Sequence, residues 1–185
     1  MAGNALSVVS ICGSLRKGSY NAGLARMLPR LAPAEMTIMP APPFDGFPHY
    51  NHDLGVPADV VAFADAVRAA DGVIIVSPEY NWTIPGGLKN ALDWVSRLKE
   101  QPFKDKPVAL QSASTGLLGA SRMQYHLRQS LAGIDALVFV KPEVTLTFAK
   151  EKFDEATVEL KDQASIDLVK QQLAEFANFV RRVRI

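Results

Sequence analysis

Gly13-Ser14-Leu15-Arg16-Lys17-Gly18-Ser19-Tyr20-Asn21 follows directly on a short apolar run, Leu6–Ile11, and precedes a helical pattern that continues to Leu31. A β-branched run, a Gly/Ser-rich basic loop and a helix start describe a strand, a turn and a helix N-terminus. The first N–H groups of a helix have no partner within it, and they and its dipole favour an anion. Ser14 and Ser19 bring hydroxyls, Arg16 a guanidinium, and Asn21 a side chain suited to capping the helix and orienting the loop. Lys17 reads as a solvated charge. The loop is therefore expected to hold a phosphate.

Outward from this loop the chain alternates strand and helix. Strands are expected at Leu6–Ile11, Met36–Met39, Gly72–Ser77, Pro107–Ser112 and Ala136–Val140, and helices at Asn21–Leu31, Ala58–Ala70, Gly86–Leu98, Ala120–Ala132 and Gln163–Val183. Val73–Val76 and Ala136–Val140 are continuously apolar, as in parallel strands covered on both faces. Regular βα alternation calls for right-handed crossovers and an α/β, doubly wound, five-stranded parallel sheet. A phosphate loop after strand one favours the flavodoxin-like order 2-1-3-4-5, with ligands outside the carboxyl ends of the strands at the switch point. The loops that meet there are 14–21, 78–85 and 113–119. Residues 40–57 carry no assignable element, and a connection of that length is usually functional.

The 185 residues suit one domain with a full core, spanning 1–185. A net charge of +1 points neither to a nucleic-acid surface nor to an acidic carrier. No run approaches the roughly 18–20 apolar residues of a membrane span, and no basic segment precedes an apolar core at the start, so the cytoplasm is the expected location. A single cysteine, Cys12, excludes an intrachain disulfide; it reads as a small buried strand residue.

Two phosphate-loop chemistries fail. A Walker A loop needs Lys and Ser/Thr where Ser19 and Tyr20 stand. A Cys-x5-Arg phosphatase loop starting at Cys12 would need arginine at Gly18, and Arg16 comes too early. What is left binds phosphate without attacking it.

A second motif follows strand three: Pro78-Glu79-Tyr80-Asn81-Trp82-Thr83-Ile84-Pro85-Gly86-Gly87-Leu88-Lys89-Asn90-Ala91-Leu92-Asp93-Trp94. Tyr80 and Trp82 offer walls to a flat ligand or pack on their own sheet. Asn81 bonds to a ring carbonyl or fixes its own turn. Glu79 reads as a general acid or, the favoured alternative, as a residue that acts through its backbone. His49 and His52 lack a supporting metal-ligand pattern, and His126 has no nucleophile at a useful spacing.

Gly-Ser-Leu-Arg-x-x-Ser-x-Asn at 13–21 and Pro-Glu-Tyr-Asn-x-x-x-Pro-Gly-x-Leu-Lys-Asn-Ala-x-Asp-Trp at 78–94 resemble the NADPH-dependent FMN reductase family, and within it the bacterial chromate/quinone reductases. Gln124–Gln129 and Lys141-Pro142-Glu143 extend the likeness over nearly the whole chain. The resemblance implies FMN as cofactor and NADPH or NADH as donor, with quinones, chromate, other oxidised metals and azo compounds as acceptors in a ping-pong cycle. Ser14, Leu15, Arg16, Lys17, Gly18, Ser19, Tyr20 and Asn21 would hold the phosphate and ribityl end. Pro78, Glu79, Tyr80, Asn81 and Trp82 would line the isoalloxazine, and Ser114 would contact it. A one-electron carrier or a flavin-binding regulator are the rival readings.

A homodimer is expected, and a homotetramer by resemblance. The helix at 86–98 has two apolar rows, Leu88, Leu92, Val95 and Ala91, Trp94, Leu98, more than a sheet-covering helix needs. The face with Arg122, Tyr125 and Glu143 would supply a second contact.

Overall fold

The computed structural model describes residues 5–184. In chain order the elements are β1 (Leu6–Cys12), α1 (Tyr20–Leu31), β2 (Met36–Pro40), α2 (Ala58–Ala69), β3 (Gly72–Val76), α3 (Gly86–Val95), β4 (Pro107–Ala113), α4 (Ser121–Ala132), β5 (Leu137–Val138), β6 (Val144–Leu146), α5 (Ala149–Lys152) and α6 (Gln163–Val183). The strands form a parallel sheet in the order β2-β1-β3-β4-β5, with β6 also on β4. This is the expected doubly wound order.

The two faces of the sheet follow from strand periodicity. Along β3, Val73 and Ile75 pack toward α2, α3 and α4, with Val60, Phe63, Leu88, Leu92 and Leu127. Ile74 and Val76 point the other way, toward α1 and α6, with Leu24, Leu28, Leu173 and Phe176. All five residues of β3 are buried, so the expectation for that strand holds. The long helices cover the sheet with apolar stripes, as with Leu24, Met27 and Leu28 of α1 at i, i+3, i+4 spacing.

The fifth strand departs from expectation. The continuous run Ala136–Val140 is not one strand covered on both faces: β5 is two residues long and both are only partly buried, and Val140 is 52% exposed. The chain leaves the sheet at 139–143 and returns as β6, opposite Gln111–Ala113. Pro142 cannot donate to a ladder, which accounts for a break in this edge strand. Side-chain amides fill the gap: Gln172 Nε2 donates to Leu110 O (3.2 Å) and Pro142 O (2.7 Å), while Gln124 Nε2 donates to Val144 O (2.8 Å).

The reason offered for a partner on α3 also fails. Helix α3 ends at Val95 rather than Leu98, and Leu88, Ala91, Leu92, Trp94 and Val95 are all buried within this one chain. The long 40–57 segment covers them. Asn90 Nδ2 and Trp94 Nε1 both donate to Pro48 O, at 2.9 and 2.7 Å, and Asn90 Oδ1 accepts from Tyr50 N at 2.8 Å. Tyr50 meets the Trp94 ring edge-on at 5.1 Å. The second apolar row of α3 thus belongs to the core.

Candidate flavin site

Three loops leave the carboxyl ends of β1, β3 and β4 side by side. The first begins at Gly13, whose N–H donates to Val76 O at 2.8 Å. A Cβ there would lie 2.4 Å from Ser77 Oγ, so only glycine lets the loop cross the end of β3 this closely. Ser14 is buried, Leu15–Gly18 are exposed, and the loop closes where Ser19 N donates to Arg16 O. Among the described residues the backbone N–H groups of Ser14–Gly18 have no partner. Unspent donors at the start of a twelve-residue helix, with the cations of Arg16 and Lys17 beside them, suit a phosphate.

Ser19 and Asn21 divide the capping and the orienting of the loop between them. The cap of α1 is Ser19, whose Oγ accepts from Asn21 N at 3.2 Å. Asn21, expected as the cap, is buried and spans to β4: its Nδ2 donates to Ala113 O and its Oδ1 accepts from Ala113 N, both at 2.9 Å. It therefore locks the first loop to the third. Tyr20 packs its ring on Phe153, 5.1 Å between centroids.

The second loop is a tight hairpin. Tyr80 and Thr83 exchange backbone hydrogen bonds of 3.1 and 3.0 Å, and both tip residues, Asn81 (φ 48°) and Trp82 (φ 71°), lie in the left-handed region. Two positive φ values in a two-residue tip define a type I′ turn, natural for asparagine and strained for tryptophan. Neither the Asn81 N–H nor the Trp82 N–H has a partner among the described residues. Trp82 is 68% exposed, with the Arg122 guanidinium 4.2 Å above its ring.

The Glu79 side chain has a structural partner of its own. Its carboxylate accepts from Arg122 Nε (2.7 Å) and from Met123 N (3.2 Å). Residue 120, at the cap position of α4, is an alanine with no side chain to offer, so Glu79 caps that helix from another loop. His126 has Nδ1 2.8 Å from Thr83 Oγ1. Arg122 and His126 on α4 thus hold both ends of the hairpin. No sequence spacing announced either contact, because α4 lies some forty residues on.

Ser114 opens the third loop. Its N–H donates to Leu146 O (2.9 Å), its carbonyl accepts from Ala149 N (3.0 Å) and its Oγ accepts from Gly116 N (3.2 Å). The unforeseen β6 and α5 therefore hold it in place. Cys12 at the end of β1 is half-buried, and burial pushes its thiol pKa up.

Among the described residues, no helix is long and apolar enough to cross a membrane. The model of the NADPH-dependent FMN reductase family matches residues 6–151, which takes in all three loops. A quinone reductase of Escherichia coli strain K12 is 48% identical over 97% of this chain and 98% of its own. An NAD(P)H-dependent FMN reductase of Pseudomonas aeruginosa is 44% identical over 97% of each. Among solved structures, the flavoenzyme NAD(P)H:(acceptor) oxidoreductase FerB from Paracoccus denitrificans superposes with a TM-score of 0.86 at 29% identity, covering 96% of this chain and 98% of that one. Loop geometry, sheet order and full-length likeness agree, and the chain belongs to the NADPH-dependent FMN reductase family of oxidoreductases.

Proposed function

We propose that the chain is an NAD(P)H-dependent quinone reductase working through FMN bound across the 13–21, 78–82 and 113–114 loops. The observation that carries this reading is the set of unpartnered N–H groups from Ser14 to Gly18 at the head of α1. Arg16 adds a charge-assisted hydrogen bond to the phosphate, and the Ser14 hydroxyl another. Asn81 and Trp82 offer their unpartnered N–H groups to the polar rim of the ring system, and Ser114 its hydroxyl hydrogen. Bound there, FMN would supply the hydride-transfer chemistry between nicotinamide and acceptor. The chain's own contribution is to bind and orient it and to leave one face open beneath Tyr80 and Trp82, both exposed.

An open, aromatic-rimmed face suits flat quinones, entering after the nicotinamide leaves in a ping-pong cycle. The same access serves chromate, other oxidised metal ions and azo compounds, and we place the enzyme in the cytoplasm. Assembly into a homodimer or homotetramer draws support from the exposed Leu117, Leu118 and Tyr125 around the site mouth rather than from α3.

Titration of the flavin-free protein with FMN and riboflavin tests the site. FMN should bind far more tightly, and Arg16→Ala should weaken it by about 1.5–3 kcal/mol. Equal affinity for the two flavins overturns the phosphate cradle. Oxidation of NADPH or NADH with a small quinone tests the activity, and its absence would leave a one-electron carrier.

A further inference from the structure

A cavity of about 590 Å³ opens beside the proposed flavin site but not within it. It lies on the β2 side of the first loop, between α1, the ends of β1 and β2, and residues 40–44; no residue of 78–82 or 113–116 lines it. Its size falls within the roughly 300–1,000 Å³ usual for small-ligand clefts.

The walls are apolar and stiff. Ala22, Ala25 and Pro29 of α1 line it with Ile11 of β1, and Pro42 and Phe44 come from the 40–44 segment. Proline rings fix their own φ and carry no N–H, so this wall keeps its shape and offers a ligand no backbone donors. A lining of small alanines, proline rings and a phenyl ring suits a flat apolar body.

The cavity carries one formal charge, Arg26 at its rim. Arg26 joins none of the ion pairs among the described residues. Burial raises the pKa of the Cys12 thiol in the lining, and the hydrogen bond to Ser14 and the charge of Arg26 oppose it. Burial dominates there, so the thiol stays neutral and supplies no counter-charge. The remaining polar side chains of the lining are the hydroxyls of Ser10 and Ser14.

We infer that this cavity is a second binding site, for a small amphipathic anion: one or two fused flat rings bearing a carboxylate or sulfonate. The ring lies between Ala25 and Phe44, and the anionic group meets the Arg26 guanidinium at the rim in a charge-assisted hydrogen bond. Ser14 and Leu15 belong both to this cavity and to the proposed phosphate loop, so an occupant here touches the back of that loop. Only this last point rests on the flavin reading.

The test is calorimetric titration of the FMN-loaded protein with 2-naphthoate, with flavin absorbance followed in parallel. Binding should reach one equivalent without release of FMN, and neutral 2-naphthol should bind at least tenfold more weakly. Arg26→Gln should weaken naphthoate at least tenfold with the flavin content unchanged, and Ala25→Leu, which fills the slot, should weaken both compounds. No binding up to millimolar naphthoate, or binding unchanged in both variants, overturns the proposal. Displacement of FMN, or competition with the nicotinamide, also overturns it by moving the ligand to the flavin site. If the chain holds no flavin, the same titration of the flavin-free protein still decides the cavity, so the two readings fail separately.

Discussion

Asn21 and Ala113 exchange two hydrogen bonds of 2.9 Å, one in each direction, although 92 residues separate them. Both groups are buried, so the side-chain amide completes the end of β4 as another strand would. It also sets the spacing between the phosphate loop and the Ser114 loop. Asn21→Ala leaves a buried N–H and a buried C=O unpaired, each costing about 1–3 kcal/mol. A drop in the urea midpoint and weaker FMN binding should appear together. Asn21→Asp keeps the acceptor for Ala113 N but sets a carboxylate oxygen against Ala113 O, and should do no better than alanine.

Trp82 sits at φ 71° in a hairpin tip where glycine would be at ease. Trp82→Gly and Trp82→Ala both lose the contact with Arg122, but only alanine keeps the backbone strain. Thermal unfolding should find the glycine variant more stable than the alanine variant by about 1 kcal/mol. In steady-state kinetics both should shift the KM for quinone more than the affinity for FMN.

Gly23 lies on α1 where a Cβ would come 2.0 Å from Val158 O. That contact is with backbone, so no rotamer relieves it. Gly23→Ala should push α1 off the 153–160 segment at a cost of about 3 kcal/mol, read as a lowered denaturation midpoint. Gly18 and Gly86 have no comparably close neighbour, and alanine at Gly86 should leave the midpoint nearly unchanged.

Asp162 caps α6, accepting from Ser165 Oγ (2.6 Å) and Ser165 N (2.9 Å). These bonds, the hydroxyl's first, hold its carboxyl pKa below the usual carboxylate value. A depressed carboxyl stabilises the fold above its unfolded pKa, and that contribution is lost as the pH falls through the folded one. Asp162→Ala should cost about 1 kcal/mol near neutral pH. The gap between variant and parent in urea unfolding should close as the pH drops below about 3.9, the ordinary value for aspartate.

The amino-acid sequence by itself determined the order of strands and helices, the doubly wound sheet and the three loops that meet at its switch point. Those features are written in local patterns. Val73–Val76 is apolar throughout because both faces of β3 are covered, and Leu24, Met27 and Leu28 repeat with the period of a helix that hides one side. The site was legible as far as its loops and their donors, since a strand, a Gly/Ser turn and a helix start are contiguous in the chain.

Only the tertiary structure decided which partner each polar side chain takes. Asn21 looks like a cap until Ala113 is beside it; the carboxylate of Glu79 has no structural partner in view until α4 arrives with a helix start that lacks a cap of its own. The two apolar rows of α3 read as a surface to spare because nothing near them in the chain shows that Pro48 and Tyr50 fold back over Trp94. The broken edge strand likewise depends on Gln172 reaching from α6 to take the carbonyls that a continuous strand would have met. Periodicity records how much of a side chain is buried, whereas a hydrogen bond between residues far apart in sequence exists only once the fold has brought donor and acceptor within 3 Å.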